Sequence, residues 1–173
     1  MLPYNLNFIG DRAFAECRYL SNISFLSRGL FTCKKNNGIF ANAGINNTTG
    51  CSLKCGMFVE KIPDRLFCPY EGTNPPNLQS VIFSKNANNT GMLDSCTDIG
   101  LDAFKGCTDL MSVELPSKLK TIWDGAFDWC YRLAEILNYS KFFKDDNGTE
   151  EFEKKFPYGL RREHFSNGPA LSS

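Results

Sequence analysis

The chain has no apolar run of 18 residues, which excludes a membrane-spanning helix. It carries one histidine, His164, and none of the short motifs that mark a phosphate loop, a zinc-protease helix or a nucleophile elbow. His164 sits among Arg161, Arg162 and Glu163 in a charged tail, where a general base is poorly positioned. No catalytic residue and no cofactor are therefore expected, and the chain reads as a non-enzyme. Neither sign of charge is in excess. Nineteen basic and nineteen acidic side chains balance, which removes the usual reason to expect nucleic acid or an anionic membrane as a partner. The first 25 residues contain Asp11, Arg12, Glu16 and Arg18 and no uninterrupted apolar segment, so no secretory signal is expected within them.

What the chain does have is repetition. Ile99 opens IGLDAFKGCTDLMSVEL, and Ile122 opens IWDGAFDWCYRLAEILN. Ile9 opens IGDRAFAECRYLSNISF, and a looser copy starts at Ile62 as IPDRLF and resumes at Asn77 as NLQSVIF. Superposed, the copies align Ile9, Ile62, Ile99 and Ile122, then Phe14, Phe67, Phe104 and Phe127. Ala13, Leu66, Ala103 and Ala126 precede the phenylalanines, and Cys17, Cys107 and Cys130 follow them. Two further columns hold Leu20, Leu78, Leu110 and Leu133, then Ile23, Val81, Val113 and Ile136. Repeats of this period cannot bury an apolar face alone and must stack on their neighbours. Alternation over Val113, Glu114 and Leu115 predicts a short strand, and the three-residue step from Phe104 to Cys107 predicts a tight helical turn.

The phrase from Ile99 to Pro116, IG-x-x-AF-x-x-C-x-x-L-x-x-V-x-LP, resembles the BspA-type leucine-rich repeat. The resemblance implies an α/β solenoid: a right-handed coil stack with short parallel strands on one face and short helical turns on the other. It also implies surface adhesion or protein recognition, with the cell surface or the secreted space as the setting. The copy at Ile62 departs through Pro63 and a five-residue insertion within CPYEGTNPPNL, and the last copy has Trp123 where others have Gly. The solenoid is expected over 1–138, with an irregular insertion at about 26–61, and a C-terminal cap with a mobile tail over 139–173.

Within the irregular stretch, Leu30-Phe31 stands where Ala-Phe is expected, and Gly50-Cys51-Ser52-Leu53 where Gly-Cys-x-x-Leu is. A degenerate coil with a protruding Asn/Gly-rich loop is the expectation. At the other end, Leu2, Pro3 and Leu6 align with Leu115, Pro116 and Leu119, so Met1 falls where a strand should be finishing. An upstream repeat or a covering partner is expected there, because an open coil exposes its apolar columns. In the tail, Phe152 and Phe156 at i,i+4 spacing predict a short capping helix ended by Pro157.

Three of the eight cysteines belong to the repeat column, where a small thiol packs without oxidation. Cys51 and Cys55, spaced C-x3-C, could form a zinc site with Cys33 or Cys68 but lack a second tight pair. A disulfide across the irregular loop is the alternative in an extracellular setting, and free thiols are the default.

The predicted strands leave one set of side chains free of the core: Asn22 and Ser24, Ser80 and Ile82, Ser112 and Glu114, Glu135 and Leu137. As a row they form the candidate binding face for a protein or surface ligand. A self-assembling structural segment, stacking end to end through an open coil, or a fragment of a larger surface protein, is the alternative.

Overall fold

The computed structural model describes residues 1–28, 38–85, 94–140, 156 and 165–167. Each turn of the chain contributes one longer strand to a first sheet. These strands are β1 (Asn22–Phe25), β2 (Cys51–Cys55), β4 (Leu78–Phe83), β6 (Ser112–Leu115), β8 (Glu135–Asn138) and β9 (Phe165–Asn167), all parallel, in that spatial order. Two-residue strands β3 (Lys61–Ile62), β5 (Asp98–Ile99) and β7 (Thr121–Ile122) make a second parallel sheet. Strand neighbours are successive coils, as in a linear repeat stack.

The sequence columns become rungs. Ile62, Ile99 and Ile122 lie in register across the second sheet, each buried. Ile23, Leu53, Val81, Val113 and Ile136 lie in register across the first, and their side chains point into the core. The turns between the two kinds of strand carry a ladder of near-parallel rings: Phe14, Phe40, Phe67, Phe104, Phe127 and Phe156. Successive centroids are 5.0, 4.9, 5.5, 5.3 and 5.2 Å apart, and no pair is tilted by more than 25°. Near-parallel rings at this spacing are in the offset-stacked regime, worth about 0.5–1.5 kcal/mol per pair beyond area burial.

The segment expected to form a helical turn does not become a helix among the described residues. It keeps the i→i+3 bond, as from Cys107 N–H to the Phe104 carbonyl at 3.0 Å. Yet Arg12, Arg65 and Asp102 before the Phe, and Glu16, Asn42 and Trp129 after it, have left-handed φ of 51–63°. Each such residue ends a right-handed helix and costs about 1–3 kcal/mol of backbone strain. The offsetting gain is visible in the hydrogen bonds. The amides of Arg65, Phe67, Phe104 and Gly106 donate to Leu101, Ala103, Ala126 and Asp128 of the following coil, all at 2.8 Å. Backbone groups that a helix would satisfy internally instead stitch one coil to the next.

The stretch at 26–61 holds one more coil, in a register different from the one the sequence motifs indicated. Ile39-Phe40 supplies the Ala-Phe pair, whereas Leu30-Phe31 lies outside the described residues. Cys51 pairs with Leu78 and so occupies the Leu column rather than the Cys column. At the N-terminus the alignment of Leu2 and Leu6 matches the geometry. Leu2 bridges to Phe25, and Leu6 N–H bonds the Pro3 carbonyl at 3.2 Å, as Leu119 does Pro116 at 3.1 Å. The first sheet does not stop at Asn138, because Phe165–Asn167 pairs with β8. Phe156 covers Phe127, and the remainder of the predicted capping helix lies outside the described residues.

The cysteine column carries a second stitch. Cys107 Sγ–H donates to the Phe67 carbonyl at 3.8 Å and Cys130 Sγ–H to the Phe104 carbonyl at 3.2 Å, each reaching back one coil. Burial pushes both thiols well above their ordinary range, Cys51 up to about 11 and Cys96 up to about 12.

Three outcomes follow from this packing. Phe104→Ala removes a ring stacked on both sides and lowers the unfolding free energy by roughly 3–5 kcal/mol in chemical denaturation. A loss under about 1 kcal/mol would mean the ring is not a core element. In a Cys33→Ser background at about pH 8, an aromatic disulfide reagent labels Cys17 at once, and Cys51, Cys55, Cys68, Cys96, Cys107 and Cys130 only on unfolding. Unfolded thiols ionise near 9 while native Cys96 holds its proton up to about 12. The stability that the buried Cys96 thiol contributes is therefore full below pH 9 and is lost as pH rises from there toward 12. Rapid native labelling of several thiols would contradict the packing.

Candidate binding face

The outer face of the first sheet carries the predicted residues in two rows. Asn22, Ser52, Ser80, Ser112 and Glu135 are successive register partners. Ser24, Lys54 and Ile82 form the second row, continued by Glu114 and Leu137. All eight residues read from the sequence lie on this face. Ser52 and Lys54 were missed because their coil was misaligned. In the middle of the first row the side chains are hydroxyls, and Ser80 Oγ–H donates to Ser52 Oγ at 2.9 Å. Small side chains leave the strip shallow, with Asn22 and Glu135 exposed at its two ends.

Glu114 is a correction to the free row: it is 7% exposed. One carboxylate oxygen accepts the Phe83 amide at 3.1 Å, and the other accepts Lys85 Nζ at 2.5 Å. Pairing between β4 and β6 covers only Ser80↔Ser112 and Val81↔Val113. The Glu114 carboxylate thus takes over an amide just past the end of that ladder, and a buried amide needs such a partner. Lys85 in turn lies 5.5 Å from the Tyr139 ring centroid. Glu114 closes a seam between strands and is not available as a ligand contact.

Where the strands end, the surface turns apolar. Tyr4, Leu26, Gly56, Met57, Phe58 and Ser84 line an open cleft of about 390 Å³. Tyr4 and Phe58 meet edge to face at 5.4 Å, and both remain substantially exposed. Exposed large side chains gathered in one place are the feature that distinguishes a docking surface from scattered apolar residues.

The zinc candidate does not assemble. Cys51 and Cys55 both face the core, four residues apart on one strand, which sets them about 13 Å apart at the strand rise. Two sulfurs on one zinc need Zn–S of about 2.3 Å each. Cys68 is buried on the turn side, and Cys33 lies outside the described residues, as does His164.

No curated protein and no solved structure matches the chain. The profile of the BspA type leucine rich repeat region matches residues 1–91 and 77–152, in six copies. The columns of Ile, Phe and Leu that define the rungs are thus the repeat of a known kind, and the chain belongs to the BspA-type leucine-rich repeat family.

Proposed function

We propose that the chain is a non-catalytic protein-recognition or adhesion module that docks its partner on the outer face of the first sheet. The observation carrying this reading is the in-register strip Asn22–Ser52–Ser80–Ser112–Glu135. A strip of short hydroxyl side chains lets a partner approach the sheet closely, and the cleft around Tyr4 and Phe58 offers an apolar anchor point beside it. Family membership favours a cell-surface or secreted setting. The same reading takes the coil as right-handed, the hand that crossovers between parallel strands adopt.

A second reading, end-to-end self-association, rests on the first coil. Ala13 and Cys17 are exposed there and Phe14 and Leu20 half-buried, whereas Ala103, Phe104, Cys107 and Leu110 are fully buried. A half-covered apolar rung is a surface on which a further coil, such as that of a second copy, can stack.

Panning a phage-displayed random peptide library on the immobilised full chain tests the first reading. Selected peptides should lose at least about tenfold in affinity, about 1.4 kcal/mol, on the Ser80→Arg/Ser112→Arg double variant and on Phe58→Ala. Binders indifferent to both changes would place recognition elsewhere. Light scattering of the same protein at rising concentration separates the readings: a constant monomer mass removes self-association.

A further inference from the structure

The third coil departs from its neighbours by the insertion after Phe67, and that insertion builds a wall on the turn side of the stack. Its tip is a closed turn: the Thr73 amide and hydroxyl both donate to the Tyr70 carbonyl, at 2.9 and 2.6 Å. Its far end is tied to the second coil. The Asn42 amide donates to the Asn74 carbonyl at 3.0 Å, and Asn74 Nδ2 donates to Asn42 Oδ1 at 2.9 Å. Its near end rests on Gly106, where a Cβ would come within 3.1 Å of the Pro69 ring. The wall is held at both ends before any ligand arrives.

Between this wall and the later coils lies a cleft of about 480 Å³. That is within the ~300–1,000 Å³ typical of small-molecule sites. On its lining, the Asp102 carboxylate accepts Arg65 Nε at 3.1 Å and Lys105 Nζ at 3.3 Å. Lys105 Nζ also lies 5.1 Å from the Trp129 ring centroid and 3.7 Å from Asp128. Trp129 is 55% exposed and Tyr70 is 50% exposed, and both rings line the cleft.

The lining selects a ligand class by elimination. An anion finds no excess positive charge, because Arg65 and Lys105 are matched by Asp102 and Glu71. A cation meets Arg65 and Lys105 on the lining, and Lys105 takes only one side of the Trp129 ring, which stays 55% exposed. A wholly apolar ligand would desolvate four charged groups without satisfying them. What remains is a molecule with an apolar face for the rings and a rim of hydroxyls that both donate and accept. A pyranose ring has that form.

We propose that this cleft binds a neutral oligosaccharide. Trp129 and Tyr70 act as stacking platforms, and the Arg65–Asp102–Lys105 array hydrogen-bonds the hydroxyls. Arg65 uses Nε on Asp102, and a guanidinium carries four further N–H donors. The charged groups are ordered in advance by one another, so little side-chain freedom is lost on binding. The site is separate from the sheet face, and its fate is independent of the peptide-docking reading.

The chain has two tryptophans, so a full-length Trp123→Phe variant leaves Trp129 as the sole indole reporter. That protein is screened on an array of neutral gluco-, manno- and chito-oligosaccharides, and any hit is titrated by indole fluorescence. The expected result is saturable binding of at least one of them with a change in Trp129 emission. Tyr70→Ala and Arg65→Ala should each weaken it about tenfold or more, about 1.4 kcal/mol, with unchanged thermal melts. Trp129→Ala, read by calorimetry, should abolish it, while Ser80→Arg on the sheet face leaves it intact. If Tyr70→Ala melts early, Tyr70→Leu takes its place. No binding by any neutral saccharide on the array, or binding that survives Trp129→Ala, would overturn the proposal.

Discussion

The structure depends on stacking between consecutive coils, and the ring ladder is where that dependence is most concentrated. A single coil presents an Ile, a Phe and two strand residues toward an interior it cannot enclose. Only a neighbour at one coil's spacing covers them. The phenylalanines meet that requirement with a near-constant separation of 4.9–5.5 Å from Phe14 to Phe156. Parallel strands at one corner and the left-handed turn residues at another hold the same repeat. The amides around Phe14, Phe67 and Phe104 donate to the next coil, so ring spacing and hydrogen-bond spacing reinforce one another there. The strain of Arg12, Arg65 and Asp102 is the cost of aiming those amides along the stack.

Because the interior is used up by stacking, the residues free to vary are those that depart from the repeat without disturbing it. The outer positions of the first sheet are one such set, free to vary because their partners in the core alternate with them. The insertion of the third coil is another, since it leaves Phe67 in the ladder and Leu78 in the strand while projecting Tyr70 outward. Glu114 shows the limit of this freedom. It stands at an outer position by alternation, yet an amide past the end of a two-pair ladder claims its carboxylate.

Much of the fold was legible because identical residues recur at fixed offsets: Ile62, Ile99 and Ile122 in one column and Phe67, Phe104 and Phe127 in another. The coil from Gly38 to Cys55 was not, for a physical reason. Its rungs are filled by Ile39, Ala43, Cys51 and Cys55, which suit the space but lack the diagnostic Ala, Cys, Leu and Phe. Ser52 and Lys54 of the candidate face were lost with it. The helical turn is not seen as a helix among the described residues: an i,i+3 spacing is common to a helix and to a turn broken by left-handed residues. Nothing in the identity of Arg12 or Trp129 marks a positive φ. The capping helix of Phe152 and Phe156 lies outside the described residues apart from Phe156, and spacing within the tail carries no sign of the ring that Phe156 stacks upon.

Ring-to-ring nuclear Overhauser effects in protein carrying site-resolved labelled phenylalanine test the shared spine most directly. The account predicts an unbroken chain of contacts from Phe40 through Phe67 and Phe104 to Phe127, each ring touching only the rings one coil before and after it. Rings that show no mutual contact, or contacts that skip a coil, would contradict it.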